Sequence, residues 1–473
     1  MRATPEFDLI VVGHETEGCL AAVAGARAGA RVALVVTPGA MLGGLLTEDG
    51  LAFVDRDSRH LTPPDRSPHD GLFAEFLTRA GVALVALEPQ AGEQTLRAML
   101  DEAGATIIES DWEGVVQEDD RLTALVLPAG GRLTARHFLD ATPDADLVEA
   151  SGGRFTQGFS EYGITRYLGI SPLPVVHGVT PERIVETCRA LAADPALEAL
   201  REKNFGARAF LELDHGVDYV LVGPPHLGLA YQRWRDAQGF EAVYPFEADG
   251  FNVAVIGPES TSWNGLIYFS EDPEALLRLS REGADDFFRE ETARFGRFLR
   301  EGLGWTDATV TLPRGVYVRQ TRHALDVRHR LTLDEIAQGF SARSVGTFCY
   351  YPDFRGFRAV SVPGPLTAHV VLDAGLASNV RNLGIASRAG GYTPFAHSLC
   401  RLVQYNVTLG TGLAVAASFA EDDLGDVDVA RISAELDRQG ILAADPAGLD
   451  RNAVIRTALQ ADPVLQREGT HLA

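Results

Sequence analysis

Residues 7–36 read FDLIVVGHETEGCLAAVAGARAGARVALVV, and this stretch restricts the fold more than any other. Phe7 to Val12 is a run of β-branched and apolar residues of the kind that forms a strand buried on both faces. Gly13 opens a turn, and EGCLAAVAGARA (17–28) supplies small, helix-favouring side chains that let a helix lie close against a sheet. A second apolar run, Arg31 to Val36, follows Gly29 at once. Strand, glycine turn, small-residue helix and strand make a βαβ unit, so the chain is expected to be α/β with a Rossmann-like parallel sheet.

Set against the dinucleotide fingerprint G-x-G-x-x-G, the loop keeps Gly13 and Gly18 but carries Glu15 where the backbone would approach a pyrophosphate. The acidic residue expected at the end of the second strand is replaced by Val36 and Thr37. An intact dinucleotide site and an ordinary βαβ unit without a ligand are both compatible with this loop. A carboxylate at ~6 Å from a phosphate costs roughly 1 to 3 kcal/mol at effective dielectrics of ~80 to ~20. Such a term weakens binding without forbidding it, because Gly13 and the amino end of the helix still favour phosphate. Replacing Glu15 by glycine is accordingly expected to tighten binding.

The remaining chain divides by pattern. Gly43 and Gly44, in the loop PGAMLGGLLTEDG (38–50), can pass near a ligand without side-chain clash. The polar, proline-rich segment 55–71 reads as loop, and helices are expected at 71–80 and 92–103. A β-meander with turns at EDD and PAGG leads into a parallel strand at 137–140. From 151 to about 330 the sequence is richer in aromatic residues and prolines, and it is read as an inserted α+β substrate domain. Residues 272–304 form one long amphipathic helix or, if broken at Gly283, two. The first domain (1–150) is then completed by 331–425, with a strand at 382–386 and a long helix; residues 426–473 read as two short helices around a PAG turn.

The function classes are narrowed by charge and by absences. A net charge of -23 argues against nucleic acid or anionic membrane as a partner. No run approaches ~18 apolar residues and no secretory leader is apparent, so a cytoplasmic protein is expected. Cys19, Cys188, Cys349 and Cys400 have no metal-ligand or C-x-x-C spacing. Lys203 is the single lysine, which excludes a Walker loop.

Four further segments, in order, resemble the FAD-dependent oxidoreductase family of the glutathione-reductase-like class, in its single-dinucleotide group of bacterial enzymes. MLGGLLT (41–47) is similar to the Leu-Gly-Gly loop of that family, and FLDATPDADL (138–147) to its Ala-Thr-Gly strand end, with Pro143 in the glycine place. VRQTRHALDVRHRLTLDEI (318–336) resembles its Arg-rich segment. NLGIASRAGGYTPFAHSLCRLVQYNVTLGTGLAVAA (382–417) resembles its closing flavin segment, with Ser387 replacing the glycine of Ala-Gly-Arg. The departures, Glu15, Val36, Pro143 and Ser387, all fall where flavin would be touched.

The resemblance implies FAD as cofactor, held by Gly13, His14, Glu15, Gly18, Thr37, Gly43, Gly44, Thr142, Arg388 and Gly410. It implies hydride removal from a small organic substrate lying between the two domains. His397 and Arg401, four apart in HSLCR, share a helix face, and His397 is the expected proton acceptor. Arg319, Arg322 and Arg401 are expected to orient an anionic group or stabilise reduced flavin, unless they serve only in ion pairs. His177 and His215 read as loop residues. A relative that has lost flavin and acts as a binding protein is the alternative. The glycine clusters at 128–133, 151–155 and 388–392 open no small-residue helix, so no second nucleotide site is expected and electrons should not come from NADPH. Oligomeric state is not legible.

Overall fold

The structure, a computed structural model, describes residues 5–55, 71–206, 208, 210–240, 243–355 and 364–440. The opening segment folds as its pattern requires: β1 (Phe7–Val12), α1 (Thr16–Arg27) and β2 (Val32–Val36). β1 and β2 run parallel, with Leu9 opposite Val32 and Val12 opposite Val35. Residues Thr16 to Gly25 of α1 are all buried.

After α2 (Gly71–Arg79) and α3 (Pro89–Ala103) the sheet is extended by β3 (Thr106–Glu109), parallel to β2. The meander consists of β4 (Gly114–Glu118), β5 (Arg121–Val126) and β6 (Arg132–Asp140). β6 has two environments, and its sequence shows why. The first half, RLTAR, alternates in burial and pairs antiparallel with β5; the second, HFLD, is wholly buried and lies parallel to β1. One strand therefore serves both as the end of the meander and as the parallel strand expected at 137–140. The order is β3-β2-β1-β6-β5-β4, and Leu383–Ile385 joins β6 in parallel on its other ladder.

The helix Val403–Phe419 lies across α1, and small residues permit the contact. A Cβ on Gly410 would stand 3.2 Å from the Glu17 carbonyl oxygen and 3.3 Å from Ala21 Cβ. α4 (Asp146–Ala150) follows β6 directly.

Residues from about 167 to 318 build a second core around Trp263, Tyr231, Phe251 and Phe295. Its six-stranded antiparallel sheet includes Val175–His177, Tyr219–Val222, Phe251–Gly257 and Ser260–Asn264. A four-stranded sheet brings Ile170–Ser171 against Tyr317–Val318. The amphipathic stretch 272–304 breaks at Gly283 into Pro273–Glu282 and Asp286–Arg297. In the carboxyl-terminal part, Val429–Arg438 is a helix; the second helix expected there, and most of the 55–71 loop, lie outside the described residues.

Candidate active site

The carboxyl ends of β1, β2, β6 and Leu383–Ile385 open into one cavity of about 350 Å³. In parallel α/β sheets this edge is where ligands bind, because loops diverge there and helix amino termini face it. Gly13, His14, Thr37, Thr142, Pro143 and Arg388 line it from the sheet body, and Ser280, Arg281, Arg314, Tyr317 and Arg319 from the second body.

Gly13 occupies a conformation that only glycine adopts freely, with φ +117°. A Cβ there would lie 2.4 Å from the Ala141 carbonyl oxygen and 2.8 Å from Thr142 N. Gly18 does not line the cavity; it lets α1 sit on β6, since a Cβ would be 2.7 Å from Ala141 Cβ. The amino end of α1 has no side-chain cap, because the residue in that place, Glu15, turns elsewhere.

Glu15 is buried and accepts a hydrogen bond from Leu45 N–H at 2.9 Å. Its carboxyl group lies over Gly44, where a Cβ would be 2.4 Å from Glu15 Cδ. The paired glycines thus seat Glu15, and neither Gly43 nor Gly44 lines the cavity itself. Gly410 likewise acts in helix packing.

Six carboxyl groups nevertheless line this region, Glu15, Glu17, Glu48, Asp49, Asp144 and Asp146, and Asp144 pairs with Arg388 at 3.2 Å. Burial raises the Glu15 pKa, and burial together with the Glu15 charge raises that of Glu17 well above the usual carboxylate range. Asp49, half-buried at the cavity wall, is pushed up to about 7 by burial and by the charges of Glu15 and Glu48. Glu48 behaves oppositely. Burial opposes its ionisation, but His14 at 3.2 Å and Arg314 at 2.8 Å hold its pKa below the ordinary value. Burial also works against a charged His14, yet the Glu48 hydrogen bond and the Glu15 charge outweigh it and raise its pKa.

These residues fit a flavin dinucleotide. The Gly13 cradle and the uncapped end of α1 offer backbone N–H groups to a diphosphate. Glu17 Oε2 and Arg388 Nε are buried in the wall without a partner. A Glu17 carboxyl raised in this way would repel a phosphate less than an ordinary carboxylate does. Thr142, whose N–H and hydroxyl both donate to Asp140 Oδ1 at 3.0 and 2.7 Å, fixes the loop after β6. At the β2 end, Thr37 and Trp112 stand where a ribose acid is missing. Ser387 donates to the Pro143 carbonyl at 2.9 Å, so the two departures from glycine bond to one another across the site.

Two expected catalytic residues lie elsewhere. His397 is fully buried and absent from the cavity wall. Its Nδ1 is 3.0 Å from the Arg388 carbonyl and its Nε2 2.9 Å from the Arg319 carbonyl, and burial followed by the Arg401 charge depresses its pKa to about 3. Neither ring nitrogen is open to a substrate. Arg322 is spent in ion pairs, with Glu149 at 2.7 Å and Asp146 at 3.2 Å, while its Nε donates to the Asp144 carbonyl. Arg401 does reach the cavity, bonded to the Tyr317 hydroxyl and to the Asp353 carboxylate. His177 and His215 lie at strand ends and not in loops; His215 is exposed, and His177 is half-buried beside Ser260 Oγ at 2.9 Å.

Sequence reasoning missed Glu17, Glu48, Asp49 and Tyr317. The acidic run in LLTEDG behind the paired glycines was the available signal for Glu48 and Asp49.

The sequence profile of the family described as FAD dependent oxidoreductase matches residues 8–436. No curated protein matches the sequence significantly. Among solved structures, the chain is similar to the flavin-dependent brominase Bmp2, at 10% identity over 98% of this chain and 93% of that one, with a TM-score of 0.44. It is similar to a geranylgeranyl bacteriochlorophyll reductase-like protein from Thermoplasma acidophilum, at 10% identity over 98% and 90% of the chains and a TM-score of 0.42. It is also similar to GidA from Aquifex aeolicus, at 11% identity over 97% and 74%, with a TM-score of 0.38.

Proposed function

Since the chain belongs to the FAD dependent oxidoreductase family, we propose that it oxidises a small organic substrate held between the parallel-sheet body and the second body. The observation that supports this most is one cavity lined both by a dinucleotide-type loop and by Tyr317, Arg319 and Arg401.

FAD bound there supplies a two-electron acceptor. The chain's own work is to bind, orient and move a proton. Gly13, the amino end of α1 and Arg388 hold the diphosphate, while the Leu45 N–H fixes the Glu15 carboxyl group over Gly44. Asp49 takes the proton of the substrate: it faces the cavity, and a carboxyl titrating at about 7 is matched to base chemistry at neutral pH. With FAD bound, the cofactor would take up the substrate's hydride equivalent, while Asp49 accepts its proton. Its electrons leave to oxygen or an external carrier.

The test is anaerobic exposure of FAD-loaded protein to hydroxy acids, amino acids and amines, followed by flavin absorbance. A substrate that bleaches the flavin should do so at least tenfold more slowly in Asp49→Asn, compared per bound flavin. Unaltered reduction in that variant removes Asp49 from the reaction. Protein that takes up no flavin supports the flavin-free binding relative instead.

A further inference from the structure

A buried guanidinium is tolerable in a protein when an anion shares its surroundings, since the cost of removing a lone charge from water is several kcal/mol or more. Arg319 lacks that company. It is 1% exposed, lies in the cavity wall, and among the described residues pairs with no carboxylate. Its partners are neutral dipoles of the second body: Nη1 donates to the Gly169 carbonyl at 2.9 Å and to Ser171 Oγ at 2.8 Å, and Nη2 donates to Asn264 Oδ1 at 3.0 Å. The Tyr317 ring lies 4.4 Å from its Cζ. The nearby carboxylate Asp353 favours the Arg319 charge without bonding to it, but it is bonded to Arg401 and also faces Arg355, so one anion is shared among three guanidinium groups.

Three of five N–H donors are thereby used. Nε carries no partner and Nη2 retains one N–H. These are adjacent groups of the planar fork that matches a carboxylate with two parallel hydrogen bonds. Burial and the neighbouring Arg355 and Arg401 pull its pKa down to about 10, so the site is short of negative charge as it stands.

Resting on the flavoenzyme reading above, we propose that the substrate is an anion and that Arg319 receives its carboxylate, against the Tyr317 face and within the Ser171–Asn264 cradle. Specificity then arises from the second body, while the parallel sheet holds the cofactor.

The proposal is tested with acetate and benzoate against their neutral counterparts acetamide and benzamide, titrated into FAD-loaded protein. Flavin difference absorbance and melting temperature are the two readouts. At least one anion should give a saturable response that its amide does not, and Arg319→Gln should weaken it at least tenfold at unchanged flavin content. Arg319→Lys, which keeps the charge and loses the fork, should weaken it less. If Arg319→Gln does not fold, the Lys variant decides: full anion affinity there overturns the proposal. Equal responses to acid and amide, or none to either anion, also overturn it. So does a variant in which the flavin midpoint potential moves while anion binding stays, because the counter-charge is then the reduced cofactor. Should the protein take up no FAD, the flavoenzyme reading fails separately, and the melting-temperature response to the anions still judges Arg319.

Discussion

FAD affinity should fall as pH rises through neutrality, because the cavity holds carboxyl groups that a diphosphate must not meet ionised. Asp49 titrates at about 7, and Glu15 and Glu17 are raised, Glu17 well above the carboxylate range. Glu48 stays charged, and His14, Arg314 and Arg388 are the cations that face the group. The sign follows from the direction of these shifts. A nearby diphosphate raises the carboxyl pKa values further, so binding above about pH 7 takes up protons, and each proton taken up weakens affinity by up to about tenfold per pH unit. One carboxylate left ionised at ~6 Å, at an effective dielectric of ~20, costs ~3 kcal/mol, or about two powers of ten. Calorimetric titrations at about pH 6 and about pH 8.5, in buffers of different ionisation enthalpy, should show at least tenfold weaker binding at the higher pH with net proton uptake. Asp49→Asn should flatten much of that slope. A pH-independent affinity, or net proton release, would show that these carboxyls do not face the phosphates.

Other expectations are reversed or sharpened by the geometry. Glu15→Gly should loosen FAD binding instead of tightening it and cost about 1 kcal/mol in urea unfolding, since Leu45 N–H loses its acceptor beside the phosphate loop; tighter binding would mean that charge repulsion dominates. His397→Ala should lower stability by about 2–4 kcal/mol through lost packing and the loss of the ring N–H from the one carbonyl to which it donates, with turnover per bound flavin retained; lost turnover at unchanged stability would return the histidine to catalysis. In stopped-flow experiments, neither NADH nor NADPH should bleach the flavin rapidly; saturable bleaching at low concentration would reveal a nucleotide site the glycine pattern does not show.

The βαβ opening was legible because one local pattern decides it: the apolar runs Leu9–Val12 and Val32–Val36 are buried on both faces, and the small residues of α1 fit a helix to a sheet. Whether 272–304 is one helix or two was open in the sequence, and the structure ends the first helix at Gly283, φ +88°. What Glu15 does was not, because its direction depends on Gly44, distant in sequence, leaving room for a carboxyl group. His397 and Arg401 do share a helix, as their spacing implies, but spacing says nothing of which neighbour each side chain meets: Arg401 reaches the cavity and His397 is enclosed between two backbone carbonyls. Arg319 and Arg322, three apart, differ likewise, since α4 supplies carboxylates to one and the second body supplies only neutral oxygens to the other.

FAD is expected to occupy the cavity beside Gly13, and flavin uptake measures this directly. Protein incubated with excess FAD and separated from free ligand should carry stoichiometric flavin, visible in its absorbance and released on denaturation. In Gly13→Ala, where the new Cβ would strike the Ala141 carbonyl at 2.4 Å, the protein that remains folded should carry little or none. Protein that stays colourless after incubation, or a Gly13→Ala variant that loads as fully as the parent, would contradict the account.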